Sequence, residues 1–393
     1  MHVRETTSKL TRTPKAEGAP LSPHGSRLKH QQLREQLLEQ ISAGTLSPGD
    51  ALPGELQLAE IMQVSRTTVR QTLGDLEKDG IVYRVQGKGT FVSKPQVEEV
   101  TARAAFLSLV VPDVASGYHP SLIAGFERAA NDVGRPIIVC NSNNEVDKQA
   151  NQIMRMLDQR VAGILLNTCT QTQTPPYQIQ LAQRLGVPVV LLHRAVPGAP
   201  APLLDLPARE IGRRAADAIF DEGHRRIAFI ASHRYATSEL MEQGIRHSVA
   251  SHGGTLDDNH IDYGDMRNFT SVDYQLYEQY LEQRMQQLLS GPDRPTAVFV
   301  SFDATAEMVY LIAQRMGLQV PRDLSIVSFG GAQRKGAILR RLTSVTVDEE
   351  AAASQAVRLL VEMGEGRRPL DSNECLPMQV GISVGATLSS PGK

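Results

Sequence analysis

From residue 104 almost to the C-terminus, the chain repeats one pattern: a short unbroken apolar run, then a longer amphipathic stretch. The runs are FLSLVV (106–111), PIIVC (136–140), AGILLN (162–167), VPVVLL (187–192), RIAFIA (226–231), TAVFVS (296–301) and LSIVSF (324–329). Helical spacing appears between or beside them, near 120–133, 146–159, 178–185, 208–222, 237–251, 273–290, 303–316 and 348–363. An apolar strand that does not alternate with polar residues is buried on both faces, which calls for parallel sheets covered by helices on each side. The units are too many for one small sheet, so two α/β lobes are expected. No short-period repeat is present.

The N-terminal quarter has a different texture. Residues 1–27 are rich in Ser, Thr, Pro and Gly and carry five Lys/Arg against two acidic residues. They read as a disordered basic arm, open either to phosphate contact or to plain solvation. From Leu28 the pattern turns helical, with Leu33, Leu37, Leu38 and Ile41 at three- and four-residue steps and Ala43-Gly44 closing it. After the turn at Ser47-Pro48-Gly49-Asp50 comes a short helix near 55–62, with Leu58, Ala59 and Ile61 available for burial. Following Gln63-Val64-Ser65, a second helix runs to about Asp79 and stops at Gly80. Ile81-Val82-Tyr83 and Thr90-Phe91-Val92 then flank Gly87-Lys88-Gly89 as a hairpin. Three helices and a hairpin within about 65 residues make a winged helix-turn-helix, an α+β unit over 28–95. A linker over 96–103 leads to the α/β body over 104–389.

A net charge of −2 gives no general attraction to nucleic acid, so any such signal must be local. It lies in the second helix of the N-terminal unit. Val69, Leu73 and Leu76 form its buried stripe, while Arg66 and Arg70 share another face with Thr67 beside them. This sets two guanidinium forks and a hydroxyl at a helix N-terminus, where anions are favoured and where a recognition helix enters the major groove. Arg can then bond bidentately to guanine. Ser65 and Thr68 suit either phosphate contact or helix capping. In the hairpin, Gly87, Gly89 and Thr90 surround Lys88, a cation at the tip that close backbone approach could bring to DNA.

These residues carry a resemblance. Residues 28–95 resemble the DNA-binding domain of the GntR family through Ile41-x-x-Gly44, Pro48-Gly49, Leu52-Pro53, Leu58-Ala59, Val64-Ser65-Arg66-Thr67-Thr68-Val69-Arg70, Leu76, Gly80-Ile81 and Gly87-Lys88-Gly89-Thr90-Phe91-Val92. The resemblance implies that Arg66, Thr67, Arg70 and the 87–89 turn contact operator DNA. Two positions depart from the family: Gly54 stands for a small hydroxyl residue, and Leu56 for a frequent basic one.

The body resembles the effector domain of the LacI/GalR family, which is built like a periplasmic sugar-binding protein. The matching phrases include Gly125-Phe126-Glu127, Val161-Ala162-Gly163-Ile164-Leu165-Leu166 and Gly186-Val187-Pro188-Val189-Val190. Gly223-His224-Arg225-Arg226-Ile227-Ala228-Phe229-Ile230, Pro295-Thr296-Ala297-Val298-Phe299, the run Met316 to Val327 and Leu342-Thr343-Ser344-Val345 complete the set. Together the two parts resemble GntR-type repressors of sugar-use genes, the arabinose-repressor kind.

The ligand of such a domain sits between the lobes, at the C-terminal ends of parallel strands. Candidate effector residues are therefore Asp113, Tyr118, His119, Asn141, Asn143, Asn167, His193, Arg194, His233, Arg234 and Asp303. Two departures bear on the ligand: Gly330-Gly331 stands where relatives often carry an Asp, and Phe302 where they carry an Asn. A sugar-hydroxyl acceptor is thereby missing, which keeps open a DNA-binding dimer whose body senses no ligand.

The expected partners are double-stranded operator DNA, a small carbohydrate-like effector and a second copy of the chain, with no membrane and no cofactor. No Ser/His/Asp ordering, metal-ligand cluster or Walker loop argues for an enzyme. Cys140, Cys169 and Cys375 lie too far apart for a disulfide framework or zinc pattern. The N-terminus lacks the apolar core of a secretory signal, so a cytoplasmic protein is expected.

Overall fold

The computed structural model describes residues 26–42, 44–78, 81–85, 88–93, 106–114, 119–170, 172–264, 274–331 and 336–392. Its head consists of α1 (Ser26–Ser42), α2 (Glu55–Ile61), α3 (Arg66–Lys78), β1 (Val82–Val85) and β2 (Gly89–Val92). The stripes expected from spacing are the ones that pack: Leu33, Leu37, Leu38 and Ile41 of α1 and Val69, Leu73 and Leu76 of α3 are all buried. On α2 the core position falls to Met62, which caps the helix and is fully buried, while Ile61 is only half-buried. β1 and β2 pair antiparallel, with Val82 opposite Val92 and Val85 opposite Gly89. Leu52 N–H donates to the Thr90 carbonyl, and Val92 N–H donates to the Asp50 carbonyl, so the hairpin is tied to the start of the helix-turn-helix.

The body begins with β3 (Leu107–Val111), α4 (His119–Asp132), β4 (Ile137–Asn141), α5 (Val146–Asp158), β5 (Gly163–Asn167), α6 (Tyr177–Arg184), β6 (Val189–His193) and β7 (Leu203–Asp205). Then follow α7 (Ala208–Asp221), β8 (Ile227–Ala231), α8 (Ala236–His252), β9 (Ile261–Tyr263), α9 (Tyr274–Leu288), β10 (Ala297–Val300), α10 (Asp303–Arg315), β11 (Ser325–Gly331) and β12 (Thr343–Val347). The chain closes with α11 (Glu349–Gly364), β13 (Cys375–Pro377) and β14 (Val380–Ser383).

Two six-stranded sheets result, ordered β13-β7-β6-β5-β3-β4 and β14-β12-β11-β10-β8-β9. All pairings are parallel except that of β14 with β12. Each sheet with its helices is one lobe. The chain passes between them after β7, after β12 and again between β13 and β14. Six of the seven apolar runs seen in the sequence are interior strands; the seventh, PIIVC, is β4 at the edge of the first sheet and only partly buried, while β7, β9, β13 and β14 are short strands toward the sheet margins without such a run. β12 (TSVTV) escapes the apolar pattern for another reason: its Thr343, Ser344 and Thr346 are buried and polar. Hydrogen bonding makes that tolerable; Thr343 N–H, for example, donates to Thr387 Oγ1 at 2.8 Å.

In the second lobe, α7 and α8 meet backbone to backbone. A Cβ at Gly212 would overlap the Met241 carbonyl, and one at Gly244 would overlap the Arg209 carbonyl. Only glycine allows this approach. The head and the first lobe share a single buried cluster, in which Leu33 and Leu37 of α1 join Ile153 of α5 and Tyr177, Ile179 and Ala182 of α6. Arg184 donates to the Ile41 carbonyl and Gln31 donates to Asp147 across the same boundary. No described helix is long and apolar enough to cross a membrane.

Candidate functional site

In the head, Ser65 stands one residue before α3, and its Oγ accepts the Thr68 N–H at 3.1 Å. The two hydroxyls are 2.8 Å apart, and Thr68 is buried. Both side chains are thus engaged in starting the helix, the capping alternative of the two that their positions allowed. Arg66, Thr67 and Arg70 face outward and are exposed. Arg70 retains 65% exposure of its side chain although its guanidinium lies 3.2 Å from Glu55. At such exposure the pair is weak, and the arginine is available to another anion. Leu56, where a cation was missing, is exposed on α2. Lys88 is exposed beside Gly89, whose φ of +111° suits glycine, and Thr90 is half-buried. Gly87 lies outside the described residues.

Between the lobes, at the C-terminal ends of both sets of parallel strands, is a cavity of about 280 Å³. Asp113 reaches it after β3, His119 from the start of α4, Asn167 from the end of β5, and His193 and Arg194 from the end of β6. The Asn167 amide donates to His119 Nε2 at 3.0 Å. Arg194 donates through Nε to Thr168 Oγ1 at 3.3 Å and through a terminal nitrogen to the Thr168 carbonyl. These bonds hold the guanidinium in one orientation at the rim. His193 is buried in the left-handed region at φ +71°, a conformation uncommon outside glycine but one that histidine adopts more readily than most side chains. Burial, together with Arg194 and His119, holds its imidazole well below the usual value, so it is neutral at pH 7. A neutral imidazole can both donate and accept.

The second lobe contributes Ser232, His233, Tyr235 and Ser238 from the turn into α8, and Met241 one turn on. Phe302, Thr305 and Met308 come from α10 and its approach, and Phe329 from β11. Burial raises the Tyr235 phenol above its usual value, which keeps it protonated.

Several expected residues stand elsewhere. Asn141 and Asn143 do not line the cavity; Asn141 Oδ1 accepts the Asn143 N–H at 2.8 Å, so they build the turn after β4. Arg234 turns away, its guanidinium 4.5 Å from the centre of the Tyr263 ring. Asp303 begins α10 but lies beneath the cavity wall, 4% exposed, accepting hydrogen bonds from Ser328 at 2.5 Å and Ser344 at 2.9 Å. Its carboxylate takes the space a side chain at Gly330 would need. The absent acid at Gly330 and the buried acid at 303 are therefore one arrangement. Tyr118 lies outside the described residues. Sequence reasoning missed Asn144, Thr170 and Tyr235, which follow strand ends but by a longer loop. It also missed Met241, Met308 and Phe329, whose apolar character is indistinguishable from core in a sequence.

Residues 29–92 match the model of the bacterial regulatory proteins of the gntR family, and residues 216–384 match that of the periplasmic binding protein-like domain. The arabinose metabolism transcriptional repressor of Geobacillus stearothermophilus is 26% identical over 343 residues, covering 86% of this chain and 92% of that one. The ribose operon repressor of Escherichia coli (strain K12) is 25% identical over 256 residues, 65% of this chain and 74% of that protein. The crystal structure of a LacI family transcriptional regulator from Mycobacterium smegmatis superposes with a TM-score of 0.59 at 23% identity, covering 72% of this chain and 99% of that one. The chain thus combines a match to the gntR-family regulatory domain over 29–92 with a match to the periplasmic binding protein-like domain over 216–384.

Proposed function

We propose that the protein represses carbohydrate-use genes in the cytoplasm as a homodimer, released from or recruited to its operator by a small effector held between the lobes. The observation that carries this reading is the pairing, in one chain, of an exposed Arg66–Thr67–Arg70 row with a cavity at the strand ends of a two-lobed body. Arg66 and Arg70 read base edges in the major groove, and Lys88 binds backbone phosphate from the wing. The relatives named for arabinose and ribose metabolism support a sugar-like effector. A regulator rather than an enzyme fits the relatives, each of which is a repressor.

Ligand acts by binding one arrangement of the lobes more tightly than another, which shifts the occupancy of DNA. The test begins with selection of duplexes from a random pool by the full-length protein. A palindromic consensus is expected, and Arg66→Ala or Arg70→Ala should weaken it by about 1–3 kcal/mol while blurring base preference. Unchanged affinity and salt dependence in both variants would remove α3 as the reading element. A thermal-shift panel of monosaccharides, disaccharides, glycosides, sugar acids and sugar phosphates then tests the sensor. No shift across the panel would leave a DNA-binding dimer that senses nothing.

A further inference from the structure

We infer that the spacing between operator half-sites is selected by two residues that do not touch DNA, Tyr177 and Arg184 of the first lobe, which fasten α1 of the head to α5 and α6; this rests on reading the protein as a dimer that grips two half-sites. By covalent geometry the chain between Ser93 and Phe106 could reach about 40 Å, so the connection alone leaves the position of the head open. Non-covalent contacts set it. α1 makes them, packing against α6 with its Leu33 and Leu37 in one buried cluster with Ile153, Tyr177, Ile179 and Ala182.

Both ends of α1 are held as well. Its last turn carries no basic residue, although the unpaired carbonyls and the negative end of the helix dipole favour a cation there. Arg184, at the end of α6, supplies one from the lobe. Its guanidinium donates to the Ile41 carbonyl and lies against Gly44, where a Cβ would stand 3.7 Å from it. Near the start of α1, Gln31 donates to the Asp147 carboxylate of α5. Tyr177 stands between these two ties. Burial raises its phenol to about 12, and Glu35 and Arg34 of α1 are near enough to act on it electrostatically.

What fixes α1 also fixes the reading helix. Leu33, Leu37, Leu38 and Ile41 share a core with Val69, Leu73 and Leu76 of α3, and the His30 ring nitrogen lies 2.9 Å from the Asp75 carboxylate. Arg66, Thr67 and Arg70 nevertheless stay exposed, so docking aims the reading face without covering it. Two copies with aimed heads present their helices at one separation and one angle. Each inserted base pair turns a half-site by about 35° and shifts it by about 3.4 Å, which a fixed head cannot follow and a tethered one can. The seam is narrow, because polar clefts flank it, one beside Arg34, Asp75 and Arg155 and the other beside Glu39 and Gln180. Few substitutions should therefore open it.

The test uses the full-length protein and duplexes carrying the two half-sites it selects from a random pool, with base pairs added between them one at a time through a full helical turn. The unsubstituted protein is expected to bind one spacing about tenfold more tightly than that spacing lengthened by half a turn. Tyr177→Glu sets a carboxylate beside Glu35 and in the apolar seam, while suiting the N-terminus of α6. It should compress the preference among spacings to within about threefold and leave the half-site sequence unchanged. Arg184→Glu with Asp147→Lys, at two exposed positions, is the second variant and should act in the same direction. Tyr177→Phe should keep the original preference, and thermal melts establish that each variant is folded. A role in stability alone would lower affinity for every spacing by one factor, and that result would overturn the inference. Indifference of the unsubstituted protein to spacing would also overturn it, as would an unchanged profile in the folded variants. Failure to select any paired half-sites would overturn the dimeric operator reading together with the inference.

Discussion

The two lobes have the same strand order, since β13-β7-β6-β5-β3-β4 and β14-β12-β11-β10-β8-β9 correspond strand for strand. They deliver loops to the same cavity from opposite sides. Both lobes line that cavity with polar groups that already bond to protein, Asn167 to His119 and Arg194 to Thr168 on the first, Ser238 to the His233 carbonyl on the second, but the second alone adds rings and thioethers, in Met241, Phe302, Met308 and Phe329. The lesson is that the fold determines where a site can be, and a few residues after each strand determine what it can hold. Packing differs as well. The second lobe contains the glycine-mediated helix contact at Gly212 and Gly244 and the tight fit of Asp303 against Gly330.

The largest effect should come from attacking that close packing. Gly244→Val drives a side chain into the Arg209 backbone, and a destabilisation of about 4 kcal/mol is expected, or roughly 10 °C in the melting temperature. Calorimetry checks it; an unchanged melt would show that α7 and α8 can separate freely. Gly330→Ala comes next, at about 1–3 kcal/mol, because Asp303 must leave its two serines. If the melt holds and ligand affinity rises instead, the buried carboxylate was free to swing into the cavity. Arg194→Gln should act in the opposite manner, costing ligand affinity by roughly 1.5–3 kcal/mol with little change in stability. Equal losses in both measures would make Arg194 a structural strut.

The smallest effect is one of pH. His193 is held neutral in the folded protein, so the unfolded chain takes up its proton first as pH falls below about 6.5. Stability present at pH 7 is therefore lost on acidification from about 6.5 downward, until the lower folded value is reached. His224, lowered mainly by burial, adds a slope of the same sign. His193→Gln should flatten the melting temperature between pH 7 and 5 without abolishing its slope. A slope identical to that of the unsubstituted protein would show that His193 does not carry the pH response.

Much of this architecture was legible because the central strands are apolar on both faces and the helices carry clean stripes, as in Val69, Leu73 and Leu76. Short outer strands were not, since three or four residues such as LLD or CLP carry no periodicity. The site divided along the same line. Strand ends give the place where a cavity can form, and His193 and Arg194 do line it. They do not give direction: Arg234 follows His233 immediately and faces Tyr263 instead. Asp303 looked like a ligand acid because nothing in its own neighbourhood of sequence announces Ser328 and Ser344, which arrive from two later strands. Phe302 was visible only as a departure, and its meaning emerged when Met308 and Phe329 proved to stand beside the same space.

The shared core of α1 with α5 and α6 gives the molecule a mechanical character. The head packs on the first lobe through that cluster, so on the proposed reading it would work as the long arm of a lever whose fulcrum is the crossing between the lobes. Any rotation of the first lobe sweeps α3 through an arc, and no melting or refolding of the head is required. Torque passes equally well in reverse. On the proposed reading, DNA gripping the heads of two copies would fix the angle of both first lobes, and so would alter effector affinity by the same factor by which the effector alters affinity for DNA.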